Sequence, residues 1–376
     1  MTHGALPSQE IAARSADGQL LYNNGPLPLD QIQPASYDVT LGTRAWCVKA
    51  TFLPGPDQTV TEALERYSLY SFSLRRPSVL TVDSTFVIEL RETARFPTTL
   101  SAVMSPKSSS GRINLWVRIL VDGHSRFDEL PAGYHGPIYA IVTPKSWPVK
   151  LVAGDSLAQL RLFEGPHQPL DTQELRFLNA ADPLAFTPEG SPITDESLFT
   201  TDGLMLTANL QGNLVAYQAK HSMELLDLSK VKGHDPDDFF QPIFQAPNRE
   251  LILKAGEFYI LPSYEYLRVP IQFAAEAVAY DIAAGEFRSH YAGFFDPGWG
   301  CDESSLGMGA PIVLEIIPHE TVILRHRQPV CKTIFERLTA PSDRPYGVGV
   351  KSNYHGQRGP RLSKHFRDGV SASKNE

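Results

Sequence analysis

Thirty prolines and 27 glycines break this 376-residue chain into short apolar runs, and that punctuation limits its possible folds more than any other feature. Proline lacks the backbone N–H that a helix interior or a central strand must donate, and glycine takes the positive φ of tight turns. The intervening runs are rich in Val, Ile, Leu, Thr and aromatic residues, the composition of strands joined by turns. Examples are "SYDVTLGTRAWCVKATF", "TLSAVMS", "NLWVRILVDG", "PIYAIVTP" and "DSLAQLRLF". The expected class is mainly β, a barrel or sandwich with many turns and few short helices. The best helical signal is Ser8–Leu20, with Ser8 as N-cap, an acidic first turn and Gly18 as the stop.

Bulk properties exclude several function classes. The formal net charge of −8 lacks the basic footprint of a general nucleic-acid binder. No run of about 18 apolar residues suggests a membrane span, and the N-terminal residues show no basic region followed by an apolar one. Cys47, Cys301 and Cys331 are widely spaced, which reads as free thiols in a reducing cytoplasm. The H-x-E and P-C-x-x-C signatures of zinc-dependent nucleobase deaminases do not occur. Any deamination here is expected to proceed without zinc.

The segment Gly165–Gly203, rich in Pro, Asp, Thr and Ser, marks a boundary between two weakly similar halves. "PAGYHGPIYAIVTPKSWPVKLVAGDSLAQLRLFE" in the first half parallels "DPGWG…GAPIVLEIIPHETVILRHRQPVCKTIFERL" in the second. Both run from an aromatic-glycine turn through a Pro-Ile strand and a Pro-containing turn to a strand ending in Phe-Glu. The offset of roughly 173 residues fits a duplicated domain and is too long for a solenoid repeat.

Four stretches carry chemistry. "SPKSSSGRINLW" (Ser105–Trp116) sets three serines between Lys107 and Arg112: a polar surface loop, or an anion cradle of hydroxyls, N–H groups and cations. "FDPGWG" (Phe295–Gly300) is strong turn chemistry in which Asp296 caps the turn or meets a sugar hydroxyl or water. Along Ile312–Ile317 both faces are apolar, so in/out alternation does not explain Glu315. It is either a solvent-facing residue of an edge strand or a carboxylate held partly out of water for general base and acid work. The tail from residue 340 holds Arg344, Lys351, Arg358, Arg361, Lys364, Arg367 and Lys374 against Asp343, Asp368 and Glu376, opposite in sign to the whole chain. It is a disordered basic tail or a lid that orders over an anionic ligand.

Taken together these segments resemble the dCTP deaminases of the dUTPase superfamily over most of the chain. The N-terminal "SQEIAARSADGQL…LPLDQIQPASYDVTLGTRAW" is similar to that family's opening helix and S-x-D-V-x-L-G strand. "PKSSSGR" resembles its R-S-S-x-x-R phosphate loop, with Lys107 where Arg is usual, and "AGDSLAQL" its late G-x-x-x-A-Q-L strand. "FDPGWG", "IVLEI" and "RPY…NYHGQRGP" resemble its turn, its catalytic-glutamate strand and its nucleotide-closing segment. The implied fold is two dUTPase-like barrels, β-clip or jelly-roll-like, in tandem. Repeat 1 spans 1–175 with the Ser/Arg loop, 176–203 connect, repeat 2 spans 204–340 with the glutamate, and 341–376 form the basic lid.

Each repeat lacks what the other keeps. Ile141 occupies the glutamate position in the first, and no Ser-Ser-x-x-Arg precedes "FDPGWG" in the second. The resemblance therefore implies a composite site, built within one chain or between neighbouring chains of a homo-oligomer. In it Glu315 would activate water against C4 of cytosine, Arg112 would steady charge and orient that carboxylate, and Ser108 would hold the water or the leaving ammonia. Lys107 and Ser109 would bind phosphate, and Asp296 would contact the deoxyribose. The backbone at Val313 and Leu314 would read the pyrimidine, and Tyr346 and Gln357 would come from the lid. Asn353 stands where the family often has Lys, so Lys351 would substitute for it. Mg²⁺ would arrive with the triphosphate, and no side chain is assigned as a metal ligand. The implied activity is conversion of dCTP to dUTP and ammonia. The alternatives are a dUTP diphosphatase or bifunctional enzyme, and a non-catalytic nucleotide sensor.

Overall fold

The computed structural model of the chain describes residues 3–200, 203–279, 287–289, 293–302, 307–347, 350 and 352–368. Among these residues strands dominate, and the α-helices are Ser8–Ala16, Val60–Tyr67, Ser108–Gly111, Thr172–Ala181 and Pro236–Phe239. The helix expected near Ser8 forms, but its N-cap is Pro7 and its Ser8 hydroxyl donates to Asp343 instead of capping. Two helices not anticipated from the sequence carry reciprocal capping boxes, Thr59 with Glu62 and Asp171 with Glu174. Each box satisfies N–H groups that a first helical turn leaves without partners.

The chain divides into two compact units. One comprises Met1–His167, Ser222–Lys230 and Leu338–Asp343; the other comprises Gln168–His221, Val231–Arg337 and Arg344–Glu376. The main cut thus falls at the start of the Pro- and Asp-rich segment, and residues 176–203 belong to the second unit. The short strand Leu226–Asp227 runs parallel to Val149–Leu151 and extends the first unit.

Each unit builds its sheets in the same strand order. In the first, the order is Ser68–Ser73, Leu41–Val48, Thr85–Arg95, His135–Pro144, Leu115–Val121, with Leu20–Tyr22 also on Thr85–Arg95. In the second it is Phe240–Phe244, Leu214–Ala219, Tyr259–Leu267, Ala310–Pro318, Phe287–Ser289, with Ala185–Phe186 also on Tyr259–Leu267. The other large sheets correspond likewise: Ala158–Glu164 beside Leu100–Pro106 matches Pro329–Arg337 beside Phe273–Ala279.

A buried carboxylate repeats with the sheets. Glu92 accepts from the Thr40 N–H at 2.9 Å and its hydroxyl at 2.8 Å. Glu265 accepts the same pair from Thr207 at 2.6 and 2.7 Å. Burial pushes the Glu92 carboxyl up to about 7 and raises that of Glu265 as well. Glu92 is tied to Thr40, between the strands Tyr37–Val39 and Leu41–Val48, and Glu265 to Thr207 at the end of Gly203–Thr207. The hydrogen bonds each accepts offset part of the cost of desolvation.

One face of the second unit's Glu315 strand supplies Ile312, Leu314 and Ile316 to that unit's core, with Tyr259 and Leu261 from its neighbour. The period of two then sends Val313 and Glu315 to the opposite face.

Candidate active site

The Glu315 strand, Ala310–Pro318, lies between Tyr259–Leu267 and Phe287–Ser289, so it is central and not an edge. Glu315 is 2 % exposed. Both facts remove the solvent-facing reading. A strand that spends a central apolar position on a carboxylate accepts a desolvation cost of several kcal/mol unless partners offset it, so the residue is held there against packing preference.

The ladder gives an internal control. In the second unit Glu315 stands opposite Ile260, and Pro311 opposite Tyr266, with an irregularity between Pro262 and Tyr266. In the first unit Ile141 stands opposite Val87, and Pro137 opposite Thr93, with an irregularity between Pro137 and Tyr139. Counting back from the irregular step, Ile141 occupies the position that Glu315 holds. In the second unit the irregular step is closed by Ser263, whose hydroxyl accepts the Ile312 N–H at 2.9 Å and donates to the Glu265 carbonyl at 2.7 Å. Bulges commonly sit beside functional residues, where they re-aim a side chain. Ser263 carries no motif in the sequence; its one local signal is a small hydroxyl residue directly after Pro262 within the strand Tyr259–Leu267.

The turn Asp296–Trp299 closes with the Trp299 N–H donating to the Asp296 carbonyl at 3.0 Å, and Gly298 has φ +91°. With Pro297 in second place and Gly298 in third, this is type II turn chemistry. A Cβ on Gly298 would sit 2.8 Å from both Pro345 Cβ and the Tyr346 backbone N, so the turn is a seat for the tail. The Tyr346 N–H donates to the Pro297 carbonyl at 2.7 Å, and its ring lies 5.1 Å from that of Trp299. Farther along, Gln357 is 4 % exposed and donates through Nε2 to the Pro311 carbonyl at 2.6 Å, on the Glu315 strand. Burial pushes the nearby Cys301 thiol up to about 11, which keeps it un-ionised near neutrality and unsuited to act as a nucleophile.

The tail is therefore built into the second unit between 352 and 368. Tyr354, Leu362 and Phe366 are buried, and the Lys364 N–H donates to the Tyr354 hydroxyl at 3.2 Å. Over these described residues the reading of a disordered basic tail gives way to an ordered, anchored segment. Lys351 lies outside the described residues.

The Ser/Arg loop belongs to the first unit. Ser108–Gly111 form a single helical turn after Lys107, and the Arg112 N–H donates to the Ser108 carbonyl at 3.1 Å. Ser109 and Arg112 are buried at 5 % and 2 % exposure, and Ser108 is half-buried. The third serine anchors the loop: the Ser110 hydroxyl donates to the Leu157 carbonyl at 2.8 Å, and the Lys107 N–H to the same carbonyl at 2.9 Å. The Lys107 ammonium is ion-paired with Asp38, which also accepts from Gln33 at 3.3 Å. Asp38, in the S-x-D-V strand, escaped the sequence reading because no local spacing links it to a loop 69 residues away.

The structure thus gathers Asp296, Val313, Leu314, Glu315, Tyr346 and Gln357 in the second unit, and Lys107, Ser108, Ser109 and Arg112 in the first. The first set offers a buried carboxylate beside strand backbone and a docked tail. The second offers a buried guanidinium with hydroxyls and N–H groups suited to an anion.

Comparison with known proteins agrees with this division. Residues 2–166 match the family model for the 2'-deoxycytidine 5'-triphosphate deaminase N-terminal domain, and residues 171–366 match that for its C-terminal domain. Among curated proteins, "dCTP deaminase, dUMP-forming" of Methanothermobacter thermautotrophicus is 32 % identical over 141 residues, 36 % of this chain and 67 % of that protein. The protein of the same name from Methanosphaera stadtmanae is 31 % identical over 135 residues, 35 % of this chain and 64 % of that protein. The one from Kocuria rhizophila is 32 % identical over 148 residues, 37 % of this chain and 73 % of that protein. The chain spans about two thirds of the length of these relatives. A crystal structure of 2'-deoxycytidine 5'-triphosphate deaminase from Agrobacterium tumefaciens matches with a TM-score of 0.82 and 36 % identity, covering 91 % of this chain and 100 % of that one. With both family models together spanning nearly its whole length, the chain belongs to the 2'-deoxycytidine 5'-triphosphate deaminase family.

Proposed function

We propose that this chain is a dCTP deaminase, which hydrolyses the exocyclic amine of dCTP to give dUTP and ammonia in pyrimidine deoxynucleotide supply. The observation that carries the reading is Glu315, 2 % exposed on a central strand at the ladder position where the other unit has Ile141. We read each unit as a dUTPase-like barrel of β-clip or jelly-roll type, and the pair as a tandem duplication, supported by their shared strand order. The setting is cytoplasmic, with the three buried cysteines as free thiols.

In this mechanism the Glu315 carboxylate takes a proton from water as its oxygen bonds to C4, and delivers that proton to N3. The second water proton then passes through Glu315 to the amine, the C4–N4 bond breaks, ammonia leaves and C4 becomes a carbonyl. Arg112 stabilises charge near the attacked carbon, and Ser108 holds the water or the leaving ammonia. Base catalysis of this kind contributes about 10²–10⁴ in rate, and preorganised polar groups in a closed site supply the rest. Ser109 and Lys107 bind phosphate, with Asp38 fixing where the Lys107 ammonium stands. Asp296 contacts the deoxyribose, the backbone at Val313 and Leu314 reads the pyrimidine edge, and Tyr346, Gln357 and Lys351 close the site. This donor set of hydroxyls and cations suits phosphate oxygens more than a divalent ion, so it fits Mg²⁺ held by the triphosphate and water. When bound, Mg²⁺ neutralises phosphate charge. The proposed site draws Arg112 and Glu315 from different repeats, of one chain or of neighbouring chains in a homo-oligomer.

Ammonia release from a panel of cytosine nucleotides, with and without Mg²⁺, tests the activity; no release from dCTP would sink it and would favour a nucleotide sensor. Mixing an Arg112→Ala chain with a Glu315→Gln chain, each inactive alone, restores activity if neighbouring chains share a site. A second reading is favoured by the relatives' shared name, "dUMP-forming". In a bifunctional enzyme Asp296 would also aim water at the α-phosphorus, and dUMP and pyrophosphate would accompany ammonia.

A further inference from the structure

The tail residues beyond Gln357 do more than anchor. They wall a cavity of about 240 Å³ in the second unit, whose charged lining is Lys232, Arg358, Arg361, Lys364 and Arg367 against a single carboxylate, Asp368. A net of four positive charges gathers there in a chain whose net charge is −8. The volume is below the usual range for drug-sized ligands, which suits a small, highly charged anion.

The lining is positioned by the fold. Backbone bonds from Lys232 N–H to the Lys364 carbonyl at 2.9 Å, and from Gly233 and His234 N–H to the His365 carbonyl at 3.1 Å each, hold the tail against residues 232–234. The Phe366 ring packs 5.3 Å from those of Phe239 and Phe240. The Arg358 guanidinium lies 5.4 Å from the centre of the Tyr266 ring. Asp368 bridges Lys232 at 2.8 Å and Arg361 at 2.9 Å, and those cations draw its carboxyl below the usual range. These are exposed pairs, which contribute little to stability and exchange readily for a better anion.

Place in the sheet adds a second argument. Tyr217, which lines the cavity, stands opposite Ile260, and Ile260 stands opposite Glu315. Directly opposed residues share a face, so Tyr217 and Glu315 point the same way, roughly 10 Å apart across two strand spacings. An anion here would also brace the segment whose Gln357 holds the Glu315 strand at Pro311.

We propose that this cleft is a phosphate-binding site separate from the Ser108–Arg112 loop, taking a phosphate-bearing anion through Arg361, Lys364 and Lys232, with Asp368 as the internal counter-ion it displaces. The proposal does not depend on the role of Glu315, because binding is read with an anion that is not turned over. Calorimetric titration of the full chain with inorganic triphosphate is expected to show a site weakened roughly tenfold or more by Arg361→Ala with Lys364→Ala, and weakened by added salt. Asp368→Asn is expected to tighten it severalfold, the opposite of what loss of a structural ion pair would give. Titrating dCTP into triphosphate-loaded Glu315→Gln enzyme separates two sources. One-for-one displacement identifies the substrate's own phosphates, and no displacement identifies a distinct anionic effector. Triphosphate affinity unchanged in the double variant, or weakened in Asp368→Asn, overturns the proposal.

Discussion

The same ladder position holds Ile141 in one unit and Glu315 in the other, and what covers each residue is as different as the residues themselves. Ile141 belongs to an apolar cluster with Val87, Leu120 and Tyr139, sealed by Val60 and Leu64 from the helix Val60–Tyr67. Glu315 shares its face with Ile260 and Tyr217, and beside Tyr217 in the next strand of the sheet stands Phe240, its ring 5.9 Å away. A helix inserted between two strands makes the first face a core. At the edge of the Glu315 face the tail takes part instead, with Phe366 packed on Phe240. The backbone ladder is common to both, so the two positions differ in the side chain and its surroundings, which is where the proposed mechanism locates the chemistry.

Breaking that contrast at its centre has the largest expected effect. Glu315→Gln lowers ammonia release from dCTP by about 10²–10⁴, read in a steady-state assay; an equally active variant would refute the mechanism. Glu315→Ile, which installs the first unit's residue, abolishes activity while leaving the melting temperature unchanged or raised, since well-packed apolar replacements of buried charges are often neutral or stabilising. The reverse change, Ile141→Glu, places an unpaired carboxylate under Val60 and Leu64. It is expected to cost roughly 3–5 kcal/mol in denaturant unfolding and to create no second activity.

The repeated carboxylates sharpen the comparison through pH. Burial raises Glu92 to about 7 from an ordinary value near 4.5, so the folded state holds its proton where the unfolded chain has lost it. The resulting stability is full below about pH 4.5 and is lost as pH rises through 7, by up to about 3 kcal/mol. Glu92→Gln is expected to flatten that fall in melting temperature, and a slope identical to wild type would assign it elsewhere.

The smallest effect separates the two glycine turns. Gly133 and Gly298 both have positive φ, at +78° and +91°, so alanine costs about 1–2 kcal/mol at either. Only at Gly298 would the new methyl meet the tail, at 2.8 Å from Pro345, whereas at Gly133 it meets Thr98 Cγ2 at an ordinary 3.6 Å. Gly298→Ala should therefore lower kcat/KM beyond its effect on melting, and Gly133→Ala should not.

Much of this was legible in the residues. The strands near Leu100, Leu115, His135 and Ala158 formed where short apolar runs between turn residues placed them, because pattern and punctuation are local. The helices at Val60 and Thr172 were missed although their T-x-x-E and D-x-x-E boxes are local signals. A four-residue box of this kind also occurs in turns, and only an amphipathic run that packs on a neighbouring sheet makes it a helix start. Asp38 on Lys107, Ser263 at the irregular step and Gln357 on Pro311 were not legible. Each joins residues whose proximity depends on strand register or on where the tail docks.

The sequence by itself determined the mainly β class, the two similar halves and the presence of one carboxylate where apolar packing would suffice, since composition, periodicity and residue identity are properties of the chain. Only the tertiary structure decided that Glu315 is central and buried, that Ile141 lies in an apolar cluster sealed by a helix, and that the basic tail is docked through Tyr354, Gln357 and Phe366. Burial and register arise when distant segments pair, and a one-residue slip in that pairing would turn every side chain of the strand to the other face.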